Sequence, residues 1–160
     1  MMSVLGVAMR IRVSLFVLAF ALACAPSANA QDRGSWMATS KNANSITGGI
    51  TIREAKLTIS LLTFPVANIR SLQPAEVSAI FDADANSAGN GALYRLNIPA
   101  AQRFLNKNTL CGSEQTQWMA TWVSGKTLSV AFFSGDNMPV FSFEAINKST
   151  DLCGIFFYSR

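Results

Sequence analysis

Trp118-Met119-Ala120-Thr121-Trp122-Val123, then Ser124-Gly125-Lys126, then Thr127-Leu128-Ser129-Val130-Ala131-Phe132-Phe133 is the stretch that decides the fold. Trp118, Ala120 and Trp122 alternate with Met119, Thr121 and Val123, and after the glycine-centred connection Leu128, Val130 and Phe132 oppose Thr127, Ser129 and Ala131. A two-residue period belongs to a pleated strand, and a helix would repeat every 3.6 residues. Two such runs joined by a tight connection make an antiparallel hairpin.

The same period extends outward in both directions. Upstream, Ala92, Tyr94, Leu96 and Ile98 face away from Leu93, Arg95 and Asn97, and Pro99 stops the run. Leu57, Ile59 and Leu61 alternate with Thr58, Ser60 and Leu62 until Phe64-Pro65 interrupts. Ser45 to Ile52 carries β-branched residues around Gly48-Gly49, the mark of a turn or bulge in a strand pattern. Val77 to Phe81 reads as a further apolar strand, joined to the Ala92 strand by the loop chemistry of Asp82 to Gly91. Downstream, Ser134-Gly135-Asp136-Asn137 turns the chain into Val140 to Ala145, and Leu152 to Tyr158 closes it. Gln31 to Asn44 suggests a loose start or a short first strand, and Ala100 to Leu105 one helical turn. Short, evenly spaced strands predict an all-β domain, a single antiparallel meander curled into a small barrel or sandwich.

The first thirty residues follow a different rule. Arg10 and Arg12 precede an apolar run from Val13 to Cys24, which is shorter than the roughly twenty residues needed to cross a bilayer. Ala28-Asn29-Ala30 then offers small side chains at the positions a signal peptidase reads, so cleavage is expected before Gln31. Lipidation at Cys24 of Leu22-Ala23-Cys24 and a retained anchor are the weaker alternatives, and Met9 would serve as a second start. The chain is therefore expected to divide into a signal peptide, 1–30, and one domain, 31–160, working in the periplasm or outside the cell without stable membrane insertion.

Once Arg10 and Arg12 are set aside, eleven Lys and Arg stand against nine Asp and Glu, scattered without a basic run. That pattern gives no reason to expect nucleic acid as a partner. Histidine is absent, which excludes Ser-His-Asp and Cys-His catalysis and removes the commonest metal ligand. Cys111 and Cys153 are the cysteines left after cleavage, and in an exported chain such a pair reads as a disulfide. It would tie the last strand to the middle of the sheet and keep an edge strand from fraying.

Few residues suggest chemistry. Asp82, Asp84 and Asn86 open with the spacing of a calcium loop, but Ser87 stands where glycine is needed and Leu93 where a bidentate glutamate belongs. Glu114, Asp136, Glu144 and Asp151 could supply a glycosidase-like carboxylate pair, and Ser124 with Lys126 a nucleophile and base, yet turn chemistry explains them more simply. No catalytic, cofactor-binding or metal-binding residue is assigned, and no cofactor. Trp36, Trp118, Trp122, Phe132, Phe133, Phe141, Phe143, Phe156, Phe157 and Tyr158 belong mostly to a core. At Phe132-Phe133 and Phe156-Phe157, however, one of each pair must face outward or enter a second packed layer.

Ala43 to Thr51, Leu93-Tyr94-Arg95, Asn108-Thr109-Leu110-Cys111-Gly112, Phe133-Ser134-Gly135 and Leu152-Cys153-Gly154-Ile155-Phe156 occur in an order that resembles a group of small exported proteobacterial proteins of unknown function. The similarity spans most of residues 43–158. It implies a Gram-negative periplasmic setting, supports the disulfide and brings no activity with it. The functional expectation is a non-enzymatic domain binding a protein or envelope component through an aromatic-bearing β surface. An inhibitor of a wall-degrading or proteolytic enzyme is the alternative, and a carboxylate-based hydrolase the remote one.

Overall fold

Eight strands follow one another along the chain: β1 Gly34–Ala38, β2 Ile50–Arg53, β3 Lys56–Ile59, β4 Leu62–Ser71, β5 Asn90–Ile98, β6 Thr116–Ser124, β7 Thr127–Phe133 and β8 Leu152–Ser159. The structure is a computed structural model that describes residues 31–160, so the expected signal segment lies outside the described residues. Each strand pairs antiparallel with the next, and β8 returns to β1, closing an up-and-down barrel. Of the two architectures open at the sequence, the barrel is the one formed.

Alternation on the strands fills the interior. Ile50, Ile52, Leu57, Ile59, Tyr94, Met119, Phe132, Phe156 and Tyr158 point inward and are buried, and Phe132 meets Phe156 edge to face at 5.4 Å. Eight strands enclose a space that side chains just fill. Inward residues are apolar while Lys56, Thr58 and Thr63 face out, the reverse of a barrel that spans a membrane around a polar lumen. No helix among the described residues is long and apolar enough to cross a membrane.

A second core lies outside the barrel. Leu93, Trp118, Ala120, Ala131 and Phe133 point outward from β5, β6 and β7 and are covered by α1, Pro74–Phe81, by Phe141, and by α2, Phe143–Lys148. This is where the double aromatics go. Phe133 enters the outer layer against Phe141 at 5.7 Å, whereas Phe157 is left half exposed.

Several expectations are corrected. Val77 to Phe81 is helix, because Pro74 opens it, the Glu76 carboxylate accepts from the Gln73 backbone N–H at 2.8 Å, and Val77, Ile80 and Phe81 fall on one helical face. Val140 to Ala145 is loop running into α2, whose Ser142 hydroxyl caps the Ala145 N–H. Pro65 does not interrupt a strand. It pairs with Lys56 of β3, and pairing with β5 starts only at Val66, so its missing N–H falls where no β5 partner waits. Residues 43–47 form a turn of π-helix and Leu105–Lys107 a tight 3-10 turn, leaving β2 to begin at Ile50. The last strand is no edge: β8 is laddered to β7 and to β1.

Candidate functional site

The barrel has two unlike ends. One, the terminal end, gathers Gln31, the β2–β3 and β6–β7 turns, the β4–β5 connection and Arg160; the other, the disulfide end, gathers the β1–β2, β3–β4, β5–β6 and β7–β8 connections.

At the disulfide end the Ala43–Thr47 turn is a hub. Thr47 Oγ1 and the Tyr158 hydroxyl lie 2.8 Å apart, which anchors the turn to the barrel interior. Ser60 Oγ donates to the Thr47 carbonyl at 2.9 Å, and Asn106 and Asn108 both donate through Nδ2 to the Ser45 carbonyl, at 3.0 and 3.1 Å. Cys111 and Cys153 are disulfide-bonded with Cα atoms 4.8 Å apart. The bridge joins the β5–β6 connection to β8 across the end of the barrel, rather than guarding an edge.

Backbone strain concentrates here too. Ser60, Leu61, Asn106 and Lys107 all have positive φ, at 48°, 72°, 54° and 62°. Ser60 and Leu61 form the two-residue turn between β3 and β4, a place where Asn-Gly is the favoured pair because glycine takes such angles freely. A leucine held there costs on the order of 1 kcal/mol. Its side chain buries nothing in return, being 96% exposed.

Of the nine large apolar side chains exposed among the described residues, Leu61, Leu62, Leu105, Met138, Val140 and Phe143 belong to this end. Met138, Pro139 and Val140 line, with Ala145 and Ile146, a cleft of about 330 Å³ beside α2. Charges here balance: Lys41, Arg103, Lys107 and Lys148 stand against Glu114, Asp136, Glu144 and Asp151.

The terminal end holds a buried polar cluster. Asp32 is 4% exposed, and its Oδ2 accepts from the Tyr94 hydroxyl at 2.5 Å and from Thr121 Oγ1 at 3.0 Å. Asp32 Oδ1 is buried without a hydrogen-bond partner among the described residues. Trp36 Nε1 donates to the Asp32 carbonyl at 2.8 Å. Burial above all, then the Asp32 hydrogen bond, holds the Tyr94 phenol well above its ordinary pKa. Tyr158 is displaced the same way by burial, against a smaller opposing effect of Thr47.

The candidates from sequence fall apart as a site. Glu144 pairs with Lys148 at 2.7 Å, Asp136 accepts from Gln117 at 2.7 Å, Asp151 lies beside Gly135, and exposed Glu114 sits in the turn after Cys111. No hydrogen bond among the described residues joins any of the four to a common site. Ser124 donates to the Ala88 carbonyl at 3.0 Å and Lys126 is exposed at the β6–β7 turn. Asp82 caps α1 in a left-handed conformation, and Asp84 folds back on the Asn86 N–H at 2.8 Å, a loop bonded to itself. Among the described residues no three His, Cys, Asp or Glu are grouped to hold a metal.

Leu61 and Asp32 escaped the sequence reading. Leu61 looked like one more member of an alternating strand, and only the adjacent pair Leu61-Leu62, which breaks strict alternation, hinted at a turn. Asp32 sat in a polar opening stretch with nothing to mark it as buried. No family model, curated protein or solved structure matches this chain.

Proposed function

We propose that this chain is an exported, non-catalytic binding domain that docks an envelope protein on its disulfide end. The observation that carries the reading is Leu61, a fully exposed apolar side chain on a strained turn that Ser60 ties to the Thr47 hub. Strain kept without a local packing gain is a mark of a functional position. A tip already fixed loses little conformational freedom when it binds. Leu62, next in the chain, and Leu105, beside Gly48 at the hub, extend the apolar contact near it. The contact surface is thus made of loops at one end, and the aromatics of the sheet serve the two cores.

The fixed tip also favours a second reading, inhibition of a wall-degrading or proteolytic enzyme by insertion of the Leu61 turn into its cleft. Both readings meet one experiment. The immobilised protein should capture a discrete partner from envelope extract; Leu61→Glu should abolish that capture, and Met37→Glu, on the barrel wall, should leave it intact. Capture unchanged by Leu61→Glu would sink the docking reading. If the partner is an enzyme, the free protein should suppress wall hydrolysis or proteolysis by the same extract and Leu61→Glu should not.

A further inference from the structure

We propose that the terminal end is a docking surface for an anionic phospholipid membrane. Around the closed barrel, five consecutive strands each bring a cation to this one rim: Lys126 before β7, Arg160 after β8, Arg33 before β1, Arg53 at the end of β2 and Lys56 at the start of β3. All five are exposed. From β8 round to β3 the acid on the rim is Glu54, which Arg33 pairs at 2.9 Å, while Asp82 and Asp84 lie on the β4–β5 connection, whose Ala88 carbonyl accepts from Ser124 beside Lys126. Asp32 is nearby but buried inside the barrel, bonded to Tyr94 and Thr121.

Two details argue against a merely solvated rim. Arg53 and Lys56 are direct cross-strand partners in the β2–β3 hairpin, and like charges in that position repel. Arg53, Lys56 and Lys126 form no ion pair with the described residues. An external anionic surface relieves this repulsion, and a row of charges along an arc suits a flat charged plane better than a single small anion. The acids of this end, Glu76, Asp82 and Asp84, sit on the β4–β5 connection, so the positive field is local to the side of the rim running from β8 to β3 although the domain as a whole carries few net charges.

The position of the chain start selects a membrane over other polyanions. Gln31, held by Asn90 at 2.6 Å, lies at this same end of the barrel, on its β5 side, and the thirty residues before it, with their apolar run, attach at this end until cleavage removes them. Whatever tethers the chain to the bilayer during export holds this end toward the lipid. The rim then meets phosphate headgroups while the Leu61 end points away. This inference does not depend on the protein-docking reading of the opposite end.

Sedimentation with lipid vesicles tests it. The exported protein, its N-terminus checked by intact mass, should bind vesicles of equal phosphatidylcholine and phosphatidylglycerol and not phosphatidylcholine alone, and 0.5 M salt should release it because the charges are exposed. Reversing the arc with Arg53→Glu, Lys56→Glu and Lys126→Glu should lower binding at least about tenfold. The neutral set Arg53→Gln, Lys56→Gln and Lys126→Gln should fall between, which keeps the test valid if the reversed chain folds poorly. Lys41→Glu with Lys107→Glu, at the other end, should bind like the parent. Equal binding to both vesicles, equal loss from changes at either end, or binding to heparin with none to the anionic vesicles would each overturn the proposal.

Discussion

Leu61 shows how a single residue can set stability against use. At φ 72° a glycine fits the second position of the β3–β4 turn better than leucine, and no buried contact is lost on truncation. Leu61→Gly should therefore raise the denaturation midpoint by an amount corresponding to about 1 kcal/mol while weakening partner capture. A less stable Leu61→Gly protein would show that the turn is not strained. Asp32 is the opposite case, since removing its carboxyl strands two buried hydroxyls. Asp32→Ala should lower stability by about 2–4 kcal/mol in denaturant titration, and a loss under 1 kcal/mol would mean the cluster relaxes freely. Tyr94 and Tyr158, the two tyrosines of the chain, carry the pH dependence. Their folded pKa values lie above the unfolded value of roughly 10, so the unfolded chain loses phenolic protons first. From neutral pH stability should be level up to about pH 10 and then fall, by up to about 1.4 kcal/mol per pH unit for each phenol still protonated in the fold. Tyrosinate absorbance should appear together with unfolding; phenols that titrate near pH 10 in the folded protein would contradict the burial. Neither Asp32 nor Leu61 was legible in the chain: burial of the one comes from closure of the barrel, a long-range event, and strain in the other from a two-residue hairpin turn made without the glycine or asparagine that would announce it.

Among the elements, the strands from β5 onward were legible, whereas β4, hidden behind Phe64-Pro65, and the helices were not. Hairpin β6–β7 was readable because its two faces are both apolar in strict alternation, one serving the interior and one the outer core. The piece containing Val77, Ile80 and Phe81 is too short for periodicity to separate strand from helix, and Gln73-Pro74 with Glu76 was the overlooked signal. Phe143 to Lys148 has one capping serine and six residues, too little to outweigh its apolar start. The disulfide was legible from compartment logic alone, yet its role was not, since it links a loop to β8 across the end of the barrel. Cys111→Ser with Cys153→Ser should lower stability by roughly 2–5 kcal/mol, as expected for a closure separating residues by 42 in sequence. Free thiols in the exported protein, or a double variant as stable as the parent, would remove the bridge from the account. The change should also weaken partner capture, because Cys111 and Asn108 belong to one connection leading to the Leu61 hub.

At the scale of the whole molecule, closure brings the two ends of the described residues together: Arg160 donates through Nη1 to the Arg33 carbonyl at 3.1 Å, and its guanidinium carbon lies over the Trp36 ring at 4.4 Å. The β1–β8 seam is the shortest in the barrel, with Met37 opposite Ser159 and Ala38 opposite Tyr158, whereas β6–β7 pairs from Trp118–Phe133 to Ser124–Thr127. Hydrogen exchange should therefore find the β1 amides opening at lower free energy than those of β6 and β7, and uniform protection would show that the barrel opens only as a unit. That seam also orders events in time. A chain that emerges from its N-terminus delivers β1 first and β8 last, so β1, already paired with β2, must wait for its second partner more than a hundred residues away, and ring closure, the contact of greatest sequence separation, becomes the step that ends folding. Until then Trp36 has only β2 beside it, and the unfinished barrel leaves its apolar interior open to water for as long as the last eight-residue strand is missing.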